Sequence, residues 1–203
     1  MPEEHPAIEI RPVGPQAWPD FEALFEAPGG PKYCWCMAWR KTREETRELW
    51  AIAAAEKAAG RPSPGRAARK AAMKGRITGG VPVGLLAYDG DEPVAWCSVA
   101  PRPTFRGLGG PTDHVDAPNK VWSIACFYVK RRRRGEGIAG ELVEAACDYA
   151  AKSGAKVIEA YPVQPGSPSY RFMGFVPMFE AHGFAAVATA GNRRTVMRKE
   201  VGE

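Results

Sequence analysis

Residues 121–154 constrain the fold of this chain more than any other stretch. An apolar run, VWSIACFYV, leads through the loop KRRRRGEG into IAGELVEAACDYAAKSG. The β-branched and aromatic content of the run predicts a strand. Ile138, Leu142, Val143, Ala146, Tyr149 and Ala150 then recur at helical spacing, with Glu141, Glu144, Asp148 and Lys152 opposite and Gly154 as a stop. A strand that feeds a basic, glycine-containing loop and then a helix is suited to phosphate. The first amides of a helix lack intrahelical acceptors and lie at the positive end of its dipole. Gly135 and Gly137 carry no Cβ to hold a ligand off those amides. Lys130 and the four arginines after it are expected to bring positive charge to the same spot, the arginines with forked donors suited to phosphate oxygens.

Two patterns share these residues, so the ligand is open at this point. Gly135-Glu136-Gly137-Ile138-Ala139-Gly140 satisfies G-x-G-x-x-G, the dinucleotide fingerprint of oxidoreductases. Glu159, at the end of the next strand-like run KVIEAY, stands about where an acid for a ribose hydroxyl is expected. In that fingerprint, however, the strand runs straight into the first glycine, whereas here residues 130–134 intervene. Too little chain follows Glu159 for the further βα units that such a fold requires.

The second pattern is Arg134-x-x-Gly137-x-Ala139, five residues after Val129. With it the chain resembles the GCN5-related N-acetyltransferase (GNAT) family, whose acetyl-CoA motif reads Q/R-x-x-G-x-G/A at a helix start after a strand. MFEAHGF at 178–184 resembles the family's short helix ending in Gly-Phe, and TVMRKEV at 195–201 its final strand. Matching elements cover roughly residues 81–201. The resemblance implies an α/β (α+β) fold with a mixed, mostly antiparallel central sheet flanked by helices. It also implies acetyl-CoA as acetyl donor, no metal, and direct attack by a primary amine of a small molecule or peptide. The backbone of Phe127, Tyr128 and Val129 would pair with the pantetheine arm. Arg134 and the backbone of Gly135, Glu136, Gly137, Ile138, Ala139 and Gly140 would hold the pyrophosphate. Homodimers are compatible with this reading.

The chain departs from the family where the chemistry is carried. Many relatives have a glutamate six residues before the position of Val129, where this chain has Ser123. Many have a tyrosine four residues before the Gly-Phe ending, where this chain has Phe179. Tyr170 stands four residues before a second Gly-Phe at 174–175 and is the candidate acid toward the departing thiolate. Proton removal is assigned to water held by Ser123 or Glu159. The two missing groups keep a second function in view, a catalytically silent acyl-CoA sensor.

Other features bound the alternatives. With 203 residues, 45% hydrophobic and 25% charged, the chain is expected to form one domain with an elaborated N-terminal helical part at about 15–80. Its net charge of +5 does not predict a nucleic-acid partner. Without residues 130–134 the 28 lysines and arginines fall to 23, against 23 acidic residues, so the basicity is one spot rather than a stripe. No apolar run approaches the ~20 residues of a membrane span. MPEEHPAIEI lacks the basic and apolar regions of a secretory signal, and five cysteines without framework spacing suit a reducing compartment. A cytoplasmic protein without membrane partners is expected.

Upstream, AIEIRPV at 7–13 alternates as a strand, and WPDFEALFE places Trp18, Phe21, Leu24 and Phe25 at helical spacing. Thr42 with Glu45 forms a capping box for a helix to about Ala59, and ARKAAMKGRIT predicts another ending near Gly79. Residues 81–101 read as a hairpin turning at Asp89-Gly90-Asp91, and 102–119 as loop. Cys34-x-Cys36 has no matching second pair for a metal and is expected to pack as a small hydrophobe. Tyr33, Trp35, Trp39 and Trp96 are either core or the wall of an amine pocket. His114 is a second candidate base, and Cys126 lacks a neighbour in sequence to activate it.

Overall fold

A computed structural model describes residues 8–62, 64–112 and 120–202. Strand β1, Glu9–Pro12, is followed by helix α1, Trp18–Glu26, which buries Trp18, Phe21, Leu24 and Phe25 as their spacing predicts. The capping box forms in full. The Thr42 hydroxyl accepts from the Glu45 amide at 3.0 Å, and the Glu45 carboxylate accepts from the Thr42 amide at 2.7 Å, which starts α2, Arg43–Ala58. Helix α3, Gly65–Thr78, precedes the hairpin of β2, Leu85–Asp89, and β3, Glu92–Pro101, with Gly90 at φ +58° in its turn. Then come β4, Val121–Val129; α4, Ile138–Lys152; β5, Val157–Ala160; α5, Val176–Ala181; β6, Ala185–Ala190; and β7, Arg194–Glu200.

The seven strands form one sheet in the order β1-β2-β3-β4-β5-β7-β6. Among them β4 and β5 are the parallel pair, joined through α4, and every other pairing is antiparallel. This is the mixed, mostly antiparallel sheet expected. A dinucleotide fold would need successive parallel neighbours, and the sheet does not supply them. Among the described residues no helix is long and apolar enough to cross a membrane.

Both faces of the sheet are covered, so its central strands are almost continuously apolar. Leu85 and Ala87 of β2, Ala95 and Cys97 of β3, and Trp122 and Ile124 of β4 pack under α4 and α5. Leu86, Tyr88 and Trp96 point the other way, into the aromatic cluster beneath α1 and α3. In that cluster the rings of Phe21 and Phe25 stack at 4.1 Å, and Trp96 meets Phe21 edge-on at 5.0 Å.

Glu159 is fully buried on β5 and ties the sheet to the loop after β3. Its carboxylate accepts from Arg198 at 2.6 and 2.8 Å, from Arg102 at 2.9 Å and from the Tyr161 hydroxyl at 2.7 Å. Arg102 also donates to the carbonyl of Pro111 at 2.7 Å, which fixes the loop on the strands. A buried carboxylate is tolerated because each oxygen is matched by a donor. Removing one partner of such a cluster strands the others without compensation. Glu159→Ala is therefore expected to lower unfolding free energy by about 3–5 kcal/mol in chemical denaturation. A loss within a few tenths of a kcal/mol would show that the cluster contributes little.

Candidate active site

Strand β4 changes course in its middle. Its register with β3 pairs Ser98 with Cys126 and Val99 with Ile124, so Ala125 is an extra residue, a β-bulge. The bulge puts Ala125 and Cys126 on the same face of the sheet. Ala125 packs in the cluster with Tyr161 and Val196, and Cys126 against the aromatic cluster. Beyond it the inward alternation resumes with Phe127 and Val129 toward α4. Pairing with β5 stops at the same point, at Ile124 opposite Ala160. The chain after β5 is drawn elsewhere: Val163 donates to Gly174 at 3.1 Å and accepts from Val176 at 3.0 Å, and Thr195 donates to Pro162 at 2.9 Å.

The parted strands enclose a cavity of about 700 Å³. One wall is residues 125–129 of β4, and facing it are Gly174, Phe175 and Met178 at the start of α5. At one end stand Arg134 and Ala139, at the other Cys36, Trp39 and Phe172. Of the residues expected at a cofactor site, the cavity thus brings together Phe127, Tyr128, Val129, Arg134 and Ala139. Arg134 folds back so that its Nε donates to the carbonyl of Val129 at 3.1 Å. Burial pushes the Tyr128 phenol up, and the Arg134 charge opposes that shift.

The helix end at this cavity is bare. Gly137 caps α4 at φ +86° with no side-chain hydrogen bond, and Gly135 is at φ +89°. A Cβ on either glycine would meet no protein atom within 4 Å, so both amide-bearing turns are open to a ligand. Gly140 serves another purpose, since a Cβ there would lie 3.1 Å from the His182 ring, so this glycine admits α5 against α4. Ile138 is buried in the core, and the Glu136 side chain accepts from Arg133 at 2.7 Å. These three residues therefore face the cavity at most through their backbone.

The basic run is less concentrated than its sequence suggests. Lys130 pairs with Glu92 at 2.7 Å, Arg132 with the same carboxylate, and Arg133 with Asp89 and Glu136. Lys130, first among its partners, holds the Glu92 carboxyl below the usual range. Three of the five cations thus clamp the loop to the β2–β3 turn. Arg131 and Arg134 lie outside these ion pairs, and of the two Arg134 lines the cavity.

The aromatic residues near the N-terminus divide between both readings of them. Trp35 and Trp96 are fully buried core, whereas Tyr33 and Trp39 line the far end of the cavity. Trp39 is backed by the Arg194 guanidinium, 4.7 Å above its ring, which also lies 5.2 Å from the ring of Tyr170. Tyr170 is thereby one ring outside the cavity lining, its ring 6.5 Å from that of Trp39. The other expected chemical groups are also elsewhere. Glu159 is consumed by its arginines, Ser123 is fully buried, and neither lines the cavity. Phe179 fills its slot as core, between the rings of Phe127 and Phe184. His114 lies outside the described residues.

The residues missed from sequence are Cys34, Cys36 and Ser98, which line the cavity beside Cys126. Their signal was the density of sulfur and aromatics at 33–40, but nothing in the spacing says that this loop reaches β3 and β4.

Comparison with known proteins is consistent with this geometry. The family model described as "Acetyltransferase (GNAT) family" matches residues 17–175. Among solved structures, an acetyltransferase from Thermus thermophilus is 16% identical with a TM-score of 0.52, covering 97% of this chain and 99% of that one. Aminoglycoside acetyltransferase AAC(6')-Ib, in complex with coenzyme A, is 14% identical with a TM-score of 0.55, covering 96% and 95%. The PaiA N-acetyltransferase from Thermoplasma acidophilum, also in complex with coenzyme A, is 14% identical with a TM-score of 0.50, covering 96% and 99%. At such identities the likeness establishes the fold. No curated protein sequence matches the chain.

Proposed function

The chain belongs to the GNAT family of acetyltransferases, and on that premise we propose that it transfers the acetyl group of acetyl-CoA to a primary amine of a small molecule or peptide. The observation that carries this reading is a single cavity that joins the bare start of α4, the unpaired edge of β4 and an aromatic end. Each part suits one part of the reaction. The first-turn amides of α4 after Gly137, together with Arg134, would hold pyrophosphate. Among the described residues, 126–129 of β4 have no strand neighbour on the β5 side and would pair with the amide-bearing pantetheine arm as an added strand. When bound, acetyl-CoA supplies a thioester carbonyl reactive toward amines. The protein's contribution is then to hold amine and carbonyl in attack geometry, with a strand amide toward the developing oxyanion.

Tyr33, Trp39 and Phe172 form the acceptor end. Flat apolar walls with few charges favour an amine borne on an apolar or aromatic body over a highly charged polyamine. Tyr170 is assigned to buttress Trp39 through Arg194 rather than to protonate the leaving thiolate. A thiol pKa near ~8.5 makes thiolate a tolerable leaving group without a dedicated acid. The direct test is thiol release from acetyl-CoA across a broad amine panel. Binding of acetyl-CoA without turnover of any amine would favour the sensor reading.

Two further outcomes are expected. Acetyl-CoA at one hundred times its Kd should stabilise the fold by ~2.7 kcal/mol, visible as a raised Tm, while NAD should leave Tm unchanged. The reverse pattern would overturn the assignment. Gly137→Val introduces a branched side chain at the turn that opens onto the phosphate end, in a left-handed conformation that itself costs roughly 1–3 kcal/mol. The KM for acetyl-CoA should rise by about tenfold or more, equivalent to ~1.4 kcal/mol, with the acceptor KM little changed. An unchanged acetyl-CoA KM in a folded variant would place the pyrophosphate elsewhere.

A further inference from the structure

A buried cation lies behind the cavity wall with no carboxylate to balance it. Arg40 is only 2% exposed, and among the described residues no aspartate or glutamate forms an ion pair with it. Its Nη2 donates to the carbonyl of Val83 at 2.6 Å and to the Ser98 hydroxyl at 3.0 Å, and its guanidinium stacks 4.2 Å from the Phe105 ring. Among the described residues its Nε has no hydrogen-bond partner. A buried charge is costly unless an opposite charge answers it. Beside it stand thiols, and the one best placed to become an anion is Cys36.

The polar surroundings of Cys36 favour a thiolate. The indole Nε1 of Trp96 donates to Cys36 Sγ at 3.2 Å. The Cys36 thiol is pulled below the usual range chiefly by Cys126, against the effect of burial, with the Arg40 charge, Trp96 and Ser98 adding to it. Cys126 moves the opposite way, well above that range, through its interaction with Cys36 and through burial, while its Sγ lies 3.7 Å from the Phe127 carbonyl. Cys97 is likewise pushed up by burial and by the charge on Cys36, and Cys34 by burial. A second cation, Arg76, approaches through its hydrogen bond to the Arg40 carbonyl at 3.3 Å but is matched by Glu45 at 2.8 Å. The loop holds this arrangement against strain: Trp35 and Cys36 both sit in the left-handed region, at φ +48° and +54°, where each non-glycine residue is disfavoured by roughly 1–2 kcal/mol. Such strain persists where the surroundings enforce it, here through the core side chain of Trp35 and the polar shell of Cys36.

Cys36, Ser98 and Cys126 line the cavity next to Ala125, at the bulge of β4 and away from the phosphate end. We propose that Cys36, as a thiolate balanced by Arg40, is the base that takes the proton from the acceptor ammonium, with Cys126 as its positioning donor. This deepens the acetyltransferase reading and rests on it. In the step, an N–H bond of the ammonium breaks and leaves its electron pair on nitrogen, now free to attack. An S–H bond forms on Cys36, which returns to thiolate by releasing that proton to solvent. On attack the C–N bond forms, the C–S bond breaks, and the second nitrogen proton passes to the departing CoA thiolate, so one proton is released for each amide formed and no oxidant or further reactant is needed. A base that ionises near the working pH is the efficient choice for such a transfer.

The test uses the full chain under reducing conditions and two readouts. Without ligand, the ultraviolet absorbance of thiolate followed against pH should show one thiol ionising below the ordinary ~8.5. That step should be absent in Cys36→Ser and displaced upward in Cys126→Ala. With acetyl-CoA and an amine found by the panel, the acidic limb of kcat/KM should share that midpoint and move upward in Cys126→Ala. In Cys36→Ala, kcat should fall about 10²–10⁴-fold while acetyl-CoA affinity by calorimetry holds. A folded Cys36→Ala with the parent's rate and acidic limb overturns the proposal, as does a parent protein with no thiolate below ~8.5. Should Cys36→Ala not fold, the parent titration and the Cys126→Ala shift decide the matter. Loss of acetyl-CoA binding by the parent would instead overturn the acetyltransferase reading, whatever the thiol does.

Discussion

Between Ile124 and Cys126, β4 carries one residue more than β3 opposite it, and this extra residue governs what the rest of the structure can do. A bulge bends and twists its strand and breaks the ladder locally. Here it coincides with the end of the β4–β5 pairing, so the sheet opens while remaining continuous through residues 121–124. The opening exposes a strand edge inside the molecule, where a ligand rather than another chain would satisfy it. It also turns Cys126 toward the loop at 33–40, which brings together residues far apart in sequence. Helix α4 begins just beyond, so its unpaired amides and the unpaired strand edge face one space.

Charge is distributed to the same end. Of the basic run after β4, three members hold the β2–β3 turn through Asp89, Glu92 and Glu136, which leaves Arg134 to the cavity. The exposed pairs to Glu92 contribute little stability each, whereas Arg133 is buried; their joint effect is to fix the loop in which Gly135 and Gly137 adopt positive φ. Glu159 and Arg40 show two answers to a buried charge. The carboxylate is matched by arginines and a phenol and is closed to solvent. The guanidinium donates to the Val83 carbonyl and the Ser98 hydroxyl and stacks on Phe105, and in the proposed mechanism the Cys36 thiolate answers its charge.

Much of this was legible in the sequence because it depends on local pattern. Thr42 and Glu45 announce their helix through spacing alone, the Asp89-Gly90-Asp91 turn announces its hairpin, and the 121–154 unit fixes the central strand, loop and helix. The α5 helix starts at Val176, two residues ahead of the expected MFEAHGF, because Phe175 is held by a bridge to Val163 and Pro177 suits a first turn. What escaped depends on long-range contact. No glycine or proline marks Ala125 as a bulge. Pairing of the basic loop with Asp89 and Glu92 requires knowing that β3 and β4 are neighbours. Gly140 reads as part of a phosphate motif until His182 is seen against it. Glu159 reads as a candidate acid until its arginines are seen, and Cys36 as packing until Arg40 and Cys126 are found beside it.

The central claim is that the start of α4 and the edge of β4 form one site for acetyl-CoA. Amide hydrogen exchange with and without coenzyme A reads it most directly, since new hydrogen bonds slow exchange at the amides that make them. Protection should rise together in residues 126–129 and 137–139 and leave β5 unchanged. Protection confined to helices α2 and α3, or none in either stretch at saturating ligand, would contradict the account.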